Sequence, residues 1–159
     1  MPKAIKEFEA GYETLQKGLR DHPEYIGDKI AMEEILGIAY MRRGELENCV
    51  NNHNAEMCLF PLAAAAQHKL PAGSSKAIEY FQKYLSQKPE NLEVRWLLNL
   101  AYMTLGQYPQ GVPRDLLIPL PTTPVPDRLP KFPDIAARLG VDKVMGAGGS
   151  IIDDFDNDG

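Results

Sequence analysis

Apolar residues recur along residues 1–108 at spacings of three and four, which is the period of one face of an α-helix. Such stretches occur at the N-terminus and around residues 35–40, 77–85 and 97–105. Polar residues occupy the remaining faces of each stretch, so each helix has a single apolar stripe to bury. The pattern therefore predicts an all-α domain over residues 1–108, built of antiparallel helix pairs.

The expected helix ends follow from the positions of serine, glycine and proline. Serine caps helix starts, and Ser75 is the candidate N-cap of the third helix, with Pro89 after its end. Glycine ends helices readily, so we expect the second helix to stop at Gly44 and the fourth at Gly106. The first helix is expected to close before Pro23.

One short sequence motif occurs twice in the chain. The stretch "EILGIAYMRRGEL" surrounds Tyr40, and "LLNLAYMTLGQY" surrounds Tyr102, 62 residues later. Both copies place apolar residues on one helical face and end in a glycine. The same structural unit is therefore expected to occur twice.

The motif L-G-x2-Y at residues 36–40 and the motif A-x3-F at residues 77–81, followed by Pro89, resemble the tetratricopeptide repeat, a helix–turn–helix unit of about 34 residues. The resemblance implies an α-solenoid of stacked helix pairs, with an insertion over residues 49–76 that separates the two halves of one repeat. The chain departs from the repeat where tryptophan and glycine are usual, at Glu33, Arg95 and Asn99.

The insertion concentrates groups that can bind a metal or form a disulfide: Cys49, His53, Cys58 and His68. Cys49 and Cys58 could form a disulfide in an oxidising compartment. All four side chains together could bind zinc or copper, although their spacing is not that of a zinc finger. Neither site need form. A Cys49–His53 nucleophilic pair lacks an orienting third group, so we predict that the protein is not an enzyme.

Proline dominates the chain after residue 108, with eight prolines among the 25 residues 109–133. This density excludes helix and central strand, so we predict an extended segment that packs along the helices or acts as a spacer. In the tail, residues 134–159, Asp154, Asp156 and Asp158 precede Gly159 in the spacing of a calcium loop, but the loop is incomplete.

The tail sequence "GGSIIDDFDNDG" resembles the first blade of an FG-GAP (VCBS-type) β-propeller. The whole order of segments is similar to the N-terminal part of bacterial FG-GAP proteins related to cartilage acidic protein. The resemblance implies an exported protein, periplasmic, cell-surface or extracellular, although no signal peptide is visible here. It also favours the Cys49–Cys58 disulfide and implies a truncated propeller that could bind calcium in a longer chain, whereas no cofactor is expected in this one.

The net charge of −5 argues against a nucleic-acid partner, and residues 58–66, the longest apolar stretch, are too short to span a membrane. We therefore expect a protein or peptide partner, besides the propeller of the same chain, and a non-enzymatic interaction scaffold. The alternatives are a metal-binding protein and a calcium-dependent surface or adhesion module. The resemblance to the repeat places the partner-binding groove at Glu34, Ile38, Met41, Arg42, Glu93, Trp96, Leu100, Met103 and Thr104.

Overall fold

The computed structural model describes residues 2–50, 62–120, 133 and 135–140. The chain divides into two compact units, Met1–Leu120 and Pro121–Gly159. The described residues form helices and turns and contain no strand, which confirms the all-α prediction for this part of the chain. Several predicted sites lie outside the described residues, namely His53, Cys58, Asp154, Asp156 and Asp158.

The first unit is built from helices that pack in sequence order, each against the next. Within the described residues they are α1 (Pro2–Gly18), α2 (Ile26–Asn48), α3 (Ala72–Leu85) and α4 (Leu92–Thr104). Short 3-10 turns occur at Pro23–Tyr25 and Ala64–Ala66. In the second unit the described residues include one short helix, α5 (Ala136–Leu139).

Three tyrosines join α1, α2 and α3 in the core. The rings of Tyr40 and Tyr80 stack with centroids 5.8 Å apart, and Tyr12 meets Tyr80 edge to face at 5.7 Å. The Tyr40 hydroxyl donates a hydrogen bond to Glu9 on α1. Because Tyr40 lies towards the end of α2 and Glu9 lies in the first half of α1, the two helices are antiparallel, as predicted.

A fully buried carboxylate on α2 links α1 to the turn that follows α3. Glu33 accepts hydrogen bonds from the Tyr12 hydroxyl at 2.8 Å, Lys29 Nζ at 2.5 Å and Gln87 Nε2 at 2.9 Å. A buried charge is tolerated when such partners satisfy it. Burial and the neighbouring Glu33 carboxylate together raise the pKa of Tyr12. Glu33 therefore has a structural role at the position where the repeat usually has tryptophan.

The prediction that the second helix ends at Gly44 is wrong, because α2 continues to Asn48. Gly44 is instead a contact point between helices. A Cβ atom placed on Gly73 of α3 would lie 2.6 Å from Gly44 N and 2.7 Å from Gly44 Cα. Gly73 is needed because the backbones approach so closely, whereas a Cβ on Gly44 would meet the side chains of His68 and Ser74 at 3.3 Å. This packing outweighs the low helix propensity of glycine.

The prediction that Ser75 caps the third helix is also wrong. Helix α3 begins at Ala72, with Pro71 at the N-cap position, and the Ser75 amide donates to the Pro71 carbonyl from inside the helix. Helix α4 ends as predicted, because Gly106 follows it with φ of 67°. The amides of Gly106 and Gln107 donate to the carbonyls of Met103 and Tyr102, the pairs that close a Schellman motif.

The first part of the proline-rich segment packs against the helices rather than leaving them. Residues 108–120, which we call the strap, belong to the same compact unit as α1–α4. Val112 and Leu116 of the strap are buried in the common core. Of the two expected arrangements, packing along the helices is therefore the one observed for residues 109–120. The prediction of an extended chain is wrong for residues 109–116, because hydrogen bonds such as Val112 N–H to the Pro109 carbonyl and Leu116 N–H to the Pro113 carbonyl fold them into turns.

Candidate functional site

Asn99 on α4 holds the strap by its main chain. Its side-chain amide donates to the Leu116 carbonyl at 2.9 Å, and its carbonyl oxygen accepts from the Ile118 amide at 3.0 Å. Arg95, one turn earlier, donates to the carbonyls of Leu116 and Leu117. These bonds satisfy backbone groups that have no partner in a helix or a sheet. The position equivalent to Asn99 in α2, 62 residues earlier, is Gly37, where the Phe81 ring of α3 packs.

Asn48 at the end of α2 holds a second non-helical segment in the same way. Its side-chain amide donates to the Leu70 carbonyl at 3.0 Å, and its oxygen accepts from the Leu70 amide at 2.8 Å. Both asparagines also donate to the carbonyl four residues earlier in their own helix, Gly44 and Arg95 respectively. Each asparagine therefore joins a helix to a non-helical piece of chain by bonding to the main-chain groups of that piece.

A chain of polar side chains connects Cys49 to the end of α4. Cys49 Sγ lies 3.6 Å from His68 Nε2, and His68 Nδ1 lies 2.9 Å from Ser74 Oγ. Ser74 Oγ lies 2.8 Å from Thr104 Oγ1. His68, Ser74 and Thr104 are buried, and Cys49 is partly exposed. The His68 main-chain amide also donates to the Thr104 carbonyl, which fixes the main chain that carries the imidazole.

The hydroxyl contacts assign the proton positions in this chain. Thr104 Oγ1 also lies 2.7 Å from the Ala101 carbonyl oxygen, which can only accept. The single Thr104 proton therefore goes to Ala101, and the Ser74 hydroxyl donates to Thr104. Ser74 then accepts from the Nδ1–H of His68, which leaves the lone pair of Nε2 facing the Cys49 thiol.

Burial lowers the pKa of His68 below its ordinary value of 6.5, and the carboxylate of Glu45 opposes that shift only in part. The folded protein therefore holds a neutral imidazole at neutral pH. In the unfolded chain the same imidazole takes up a proton once the pH falls below about 6.5.

We expect this difference to make the protein less stable in weak acid. As the pH falls through and below about 6.5, the unfolded state binds a proton that the folded state resists, so the free energy of unfolding decreases. The His68→Gln variant should lose this part of the pH dependence, whereas His22→Gln, which removes an exposed imidazole, should keep it. Urea unfolding at a series of pH values measures both slopes, and equal slopes in the two variants would contradict the expectation.

The structure brings together two of the four insertion residues considered for a disulfide or a metal. Cys49 and His68 are adjacent, while His53 and Cys58 lie outside the described residues, so the disulfide and the four-ligand site stay predictions. Within the described ranges, no group of three or more His, Cys, Asp or Glu side chains is placed to hold a metal ion.

The predicted partner-binding residues divide by exposure. Ile38, Arg42 and Glu93 are exposed, and Glu34, Trp96 and Leu100 are half-buried. The other three, Met41, Met103 and Thr104, are 3–5% exposed and do not face solvent. For Thr104 the reason is its contact with Ser74 and His68, which cover the end of α4. The surface that a partner can reach is therefore smaller than predicted.

The importance of Asn48, Asn99, Ser74 and Gly73 is visible only in the structure. A signal was present for the asparagines, because asparagine is a poor helix former and both lie within predicted or adjoining helix. The run of small residues "AGSS" at residues 72–75 likewise indicates a close backbone approach. Neither signal identifies the segment that is contacted.

No protein family, curated protein or solved structure matched this chain. Among the helices that the structure describes, none combines the length and the apolar character needed to cross a membrane.

Proposed function

We propose that the helical unit is a non-enzymatic interaction scaffold that binds an extended, apolar peptide segment of a partner protein. The observation that carries this proposal is a pair of exposed isoleucines one helical turn apart on α2, Ile35 and Ile38, which are 41% and 44% exposed. Apolar residues exposed singly are ordinary, whereas neighbouring ones on one helical face can form part of a contact surface. Glu34 and Arg42 flank the pair on the same helix.

The same face recurs on α4 at the equivalent positions. Trp96 and Leu100 lie 62 residues after Glu34 and Ile38, and both are half-buried. The matching order of helices and the shared Leu-x3-Tyr positions support a tetratricopeptide-like arrangement, in which the first helices of successive pairs line one surface. Trp96 suits such a surface because tryptophan is enriched in binding hot spots.

The strap supports an extended peptide as the occupant. Residues 116–118 already lie on α4 in non-helical form, held by Asn99 and Arg95 through main-chain bonds and by Leu116 in the core. The helical unit thus binds one non-helical, proline-flanked segment of its own chain. A partner peptide of the same kind would use the same chemistry on the exposed faces.

We propose, on the resemblance of the tail alone, that the unit belongs to an exported FG-GAP protein whose calcium sites lie in its propeller. The aspartates concerned, Asp154, Asp156 and Asp158, are outside the described residues. The proximity of Cys49 and His68 favours the alternative function, a metal-binding protein.

The scaffold proposal is tested by selecting peptides from a random display library against the full chain, with counter-selection on Ile38→Asp. The binding of a selected peptide is then followed by the fluorescence of Trp96, the single tryptophan of the chain. A charge at Ile38 should weaken binding by about tenfold or more, since burying an isoleucine contributes roughly 1.5–3 kcal/mol.

The matched control is Ile26→Asp, because Ile26 is 45% exposed on the same helix and points about 120° away from Ile38. This variant should bind like the unchanged protein. If selection enriches no peptide, or if both variants weaken binding equally, the proposed surface is not a peptide site.

A further inference from the structure

The charges of helix α2 are not all paired. Its cationic side chains each bond to a glutamate of the same helix, in the pairs Lys29–Glu33, Arg42–Glu45 and Arg43–Glu47. Two carboxylates of the helix, Asp28 and Glu34, make no hydrogen bond or ion pair with the described residues. The charge that α2 leaves without a partner in the described part of the chain is therefore negative.

Only the charge of Asp28 has an explanation within the helix. Asp28 lies in the first turn of α2, where the helix dipole favours a carboxylate. Glu34 lies well inside the helix, beyond the reach of that effect, and is half-buried. Its neighbours on the helix surface, three and four positions away, are Ile30, Ala31, Gly37 and Ile38. None of them is charged, so the Glu34 carboxylate has apolar neighbours and no counter-ion on its own helix.

Glu34 lies on the same face of α2 as the exposed isoleucines Ile35 and Ile38. Ile38 follows Glu34 by one helical turn, which is about 6 Å along the helix axis. In an extended peptide, side chains two residues apart point to the same side and are separated by roughly 6.6 Å. An extended peptide that lies along α2 therefore places one side chain at Glu34 and the next one but one at Ile38.

We propose that the partner peptide carries a lysine or arginine two residues away from an apolar residue, an inference that rests on the proposed function of this surface. The basic head group bonds to Glu34, its methylenes cover the neighbouring apolar surface, and the apolar residue packs on Ile35 and Ile38. The cation compensates a half-buried carboxylate. An acidic residue at the same place meets a like charge, so the surface selects against acidic peptides.

The first test is a selection against the full chain with a display library of random peptides that share one designed triplet. The triplet has an apolar residue at one end and a basic, amide or acidic residue at the other, in equal numbers and in both directions. Basic triplets should be enriched over acidic ones by about fivefold or more, the ratio given by an ion pair at the upper end of the range for exposed pairs.

The outcomes of this selection separate the two proposals. Equal recovery of basic and acidic triplets, among peptides that the Ile38→Asp variant no longer binds, would overturn the inference about charge and leave the scaffold proposal standing. Recovery of no peptide at all would overturn both.

The second test locates the contact by a double-mutant cycle on one selected basic peptide. Fluorescence anisotropy of the labelled peptide measures its affinity for the unchanged chain and for Glu34→Gln, with the basic residue of the peptide either kept or replaced by glutamine. Each single change should weaken binding about fivefold, and both together should weaken it no further, because either change removes the same ion pair. Additive losses would overturn the proposal, since the basic residue would then contact another group.

The matched control is Glu7→Gln, which makes the same change of charge on α1. Glu7 is exposed and lies on the side of its helix opposite the buried Ile5 and Tyr12, so this variant should leave the affinity unchanged. A loss equal to that of Glu34→Gln would overturn the proposal, because the net charge alone would then explain the preference.

A second variant decides the question if Glu34→Gln does not fold, as judged by circular dichroism. Ala31 is exposed and lies one turn before Glu34, so the Ala31→Lys variant supplies the missing counter-ion from the same helix. It should weaken binding of the basic peptide about fivefold and leave binding of the glutamine version unchanged. An unaltered preference for the basic peptide in this variant would overturn the proposal.

Discussion

Replacing Gly73 with alanine is expected to destabilise the helical unit by about 3 kcal/mol, the upper part of the usual range for overpacking. The added Cβ would lie 2.6 Å and 2.7 Å from the Gly44 nitrogen and Cα, and 2.9 Å from the Tyr40 carbonyl oxygen. These are backbone atoms of α2, so no side chain can rotate to relieve the contact. The helices α2 and α3 would have to separate along their most closely packed stretch.

Urea unfolding followed by circular dichroism measures this effect. The matched control is Gly27→Ala, also a helical glycine, whose added Cβ would have nothing within 4 Å. That variant should be unchanged or more stable by about 0.5 kcal/mol, because alanine favours helix over glycine. If Gly73→Ala unfolds at the same urea concentration as the unchanged protein, α2 and α3 do not approach as closely as the structure places them.

The helices of this protein could be predicted from sequence because their apolar stripes have a clear period. The end of α4 at Gly106 was also predicted, since its left-handed backbone is a local property of glycine. The end of α2 was not predicted correctly, because Gly44 lies inside the helix and contacts Gly73. That contact depends on tertiary packing across the insertion. A glycine near a helix end has the same local signature in both roles.

The candidate site was only partly predictable for a similar reason. The cysteines and histidines of the insertion are candidates from sequence because they can form a disulfide or bind a metal. The structure places the side chains of Cys49 and His68 in contact. The sequence could not show which histidine reaches Cys49, because that depends on how Asn48 fixes the residues before α3. The same holds for Thr104, which the resemblance to the repeat places on the partner-binding surface and which Ser74 of the predicted insertion covers in the structure.

Removing the side-chain amide of Asn99 is expected to have the second large effect on stability. Asn99→Ala should lower the free energy of unfolding by about 2 kcal/mol, since it leaves the amide of the half-buried Ile118 without its acceptor and takes one donor from the Leu116 carbonyl. Arg95 still donates to that carbonyl, so the loss stops short of releasing the strap completely. The Gln16→Ala variant removes an exposed amide from α1 and should change stability by less than about 0.5 kcal/mol.

Amide hydrogen exchange at Ile118 separates a local effect from a global one. We expect exchange there to accelerate by about tenfold or more in Asn99→Ala, because the strap opens locally before the helices unfold. Exchange in the middle of α3, at Phe81, should then change only in proportion to the loss of global stability. Unaltered exchange at Ile118 would mean that Asn99 does not hold the strap, and the model for an extended partner peptide bound through main-chain groups would lose its support.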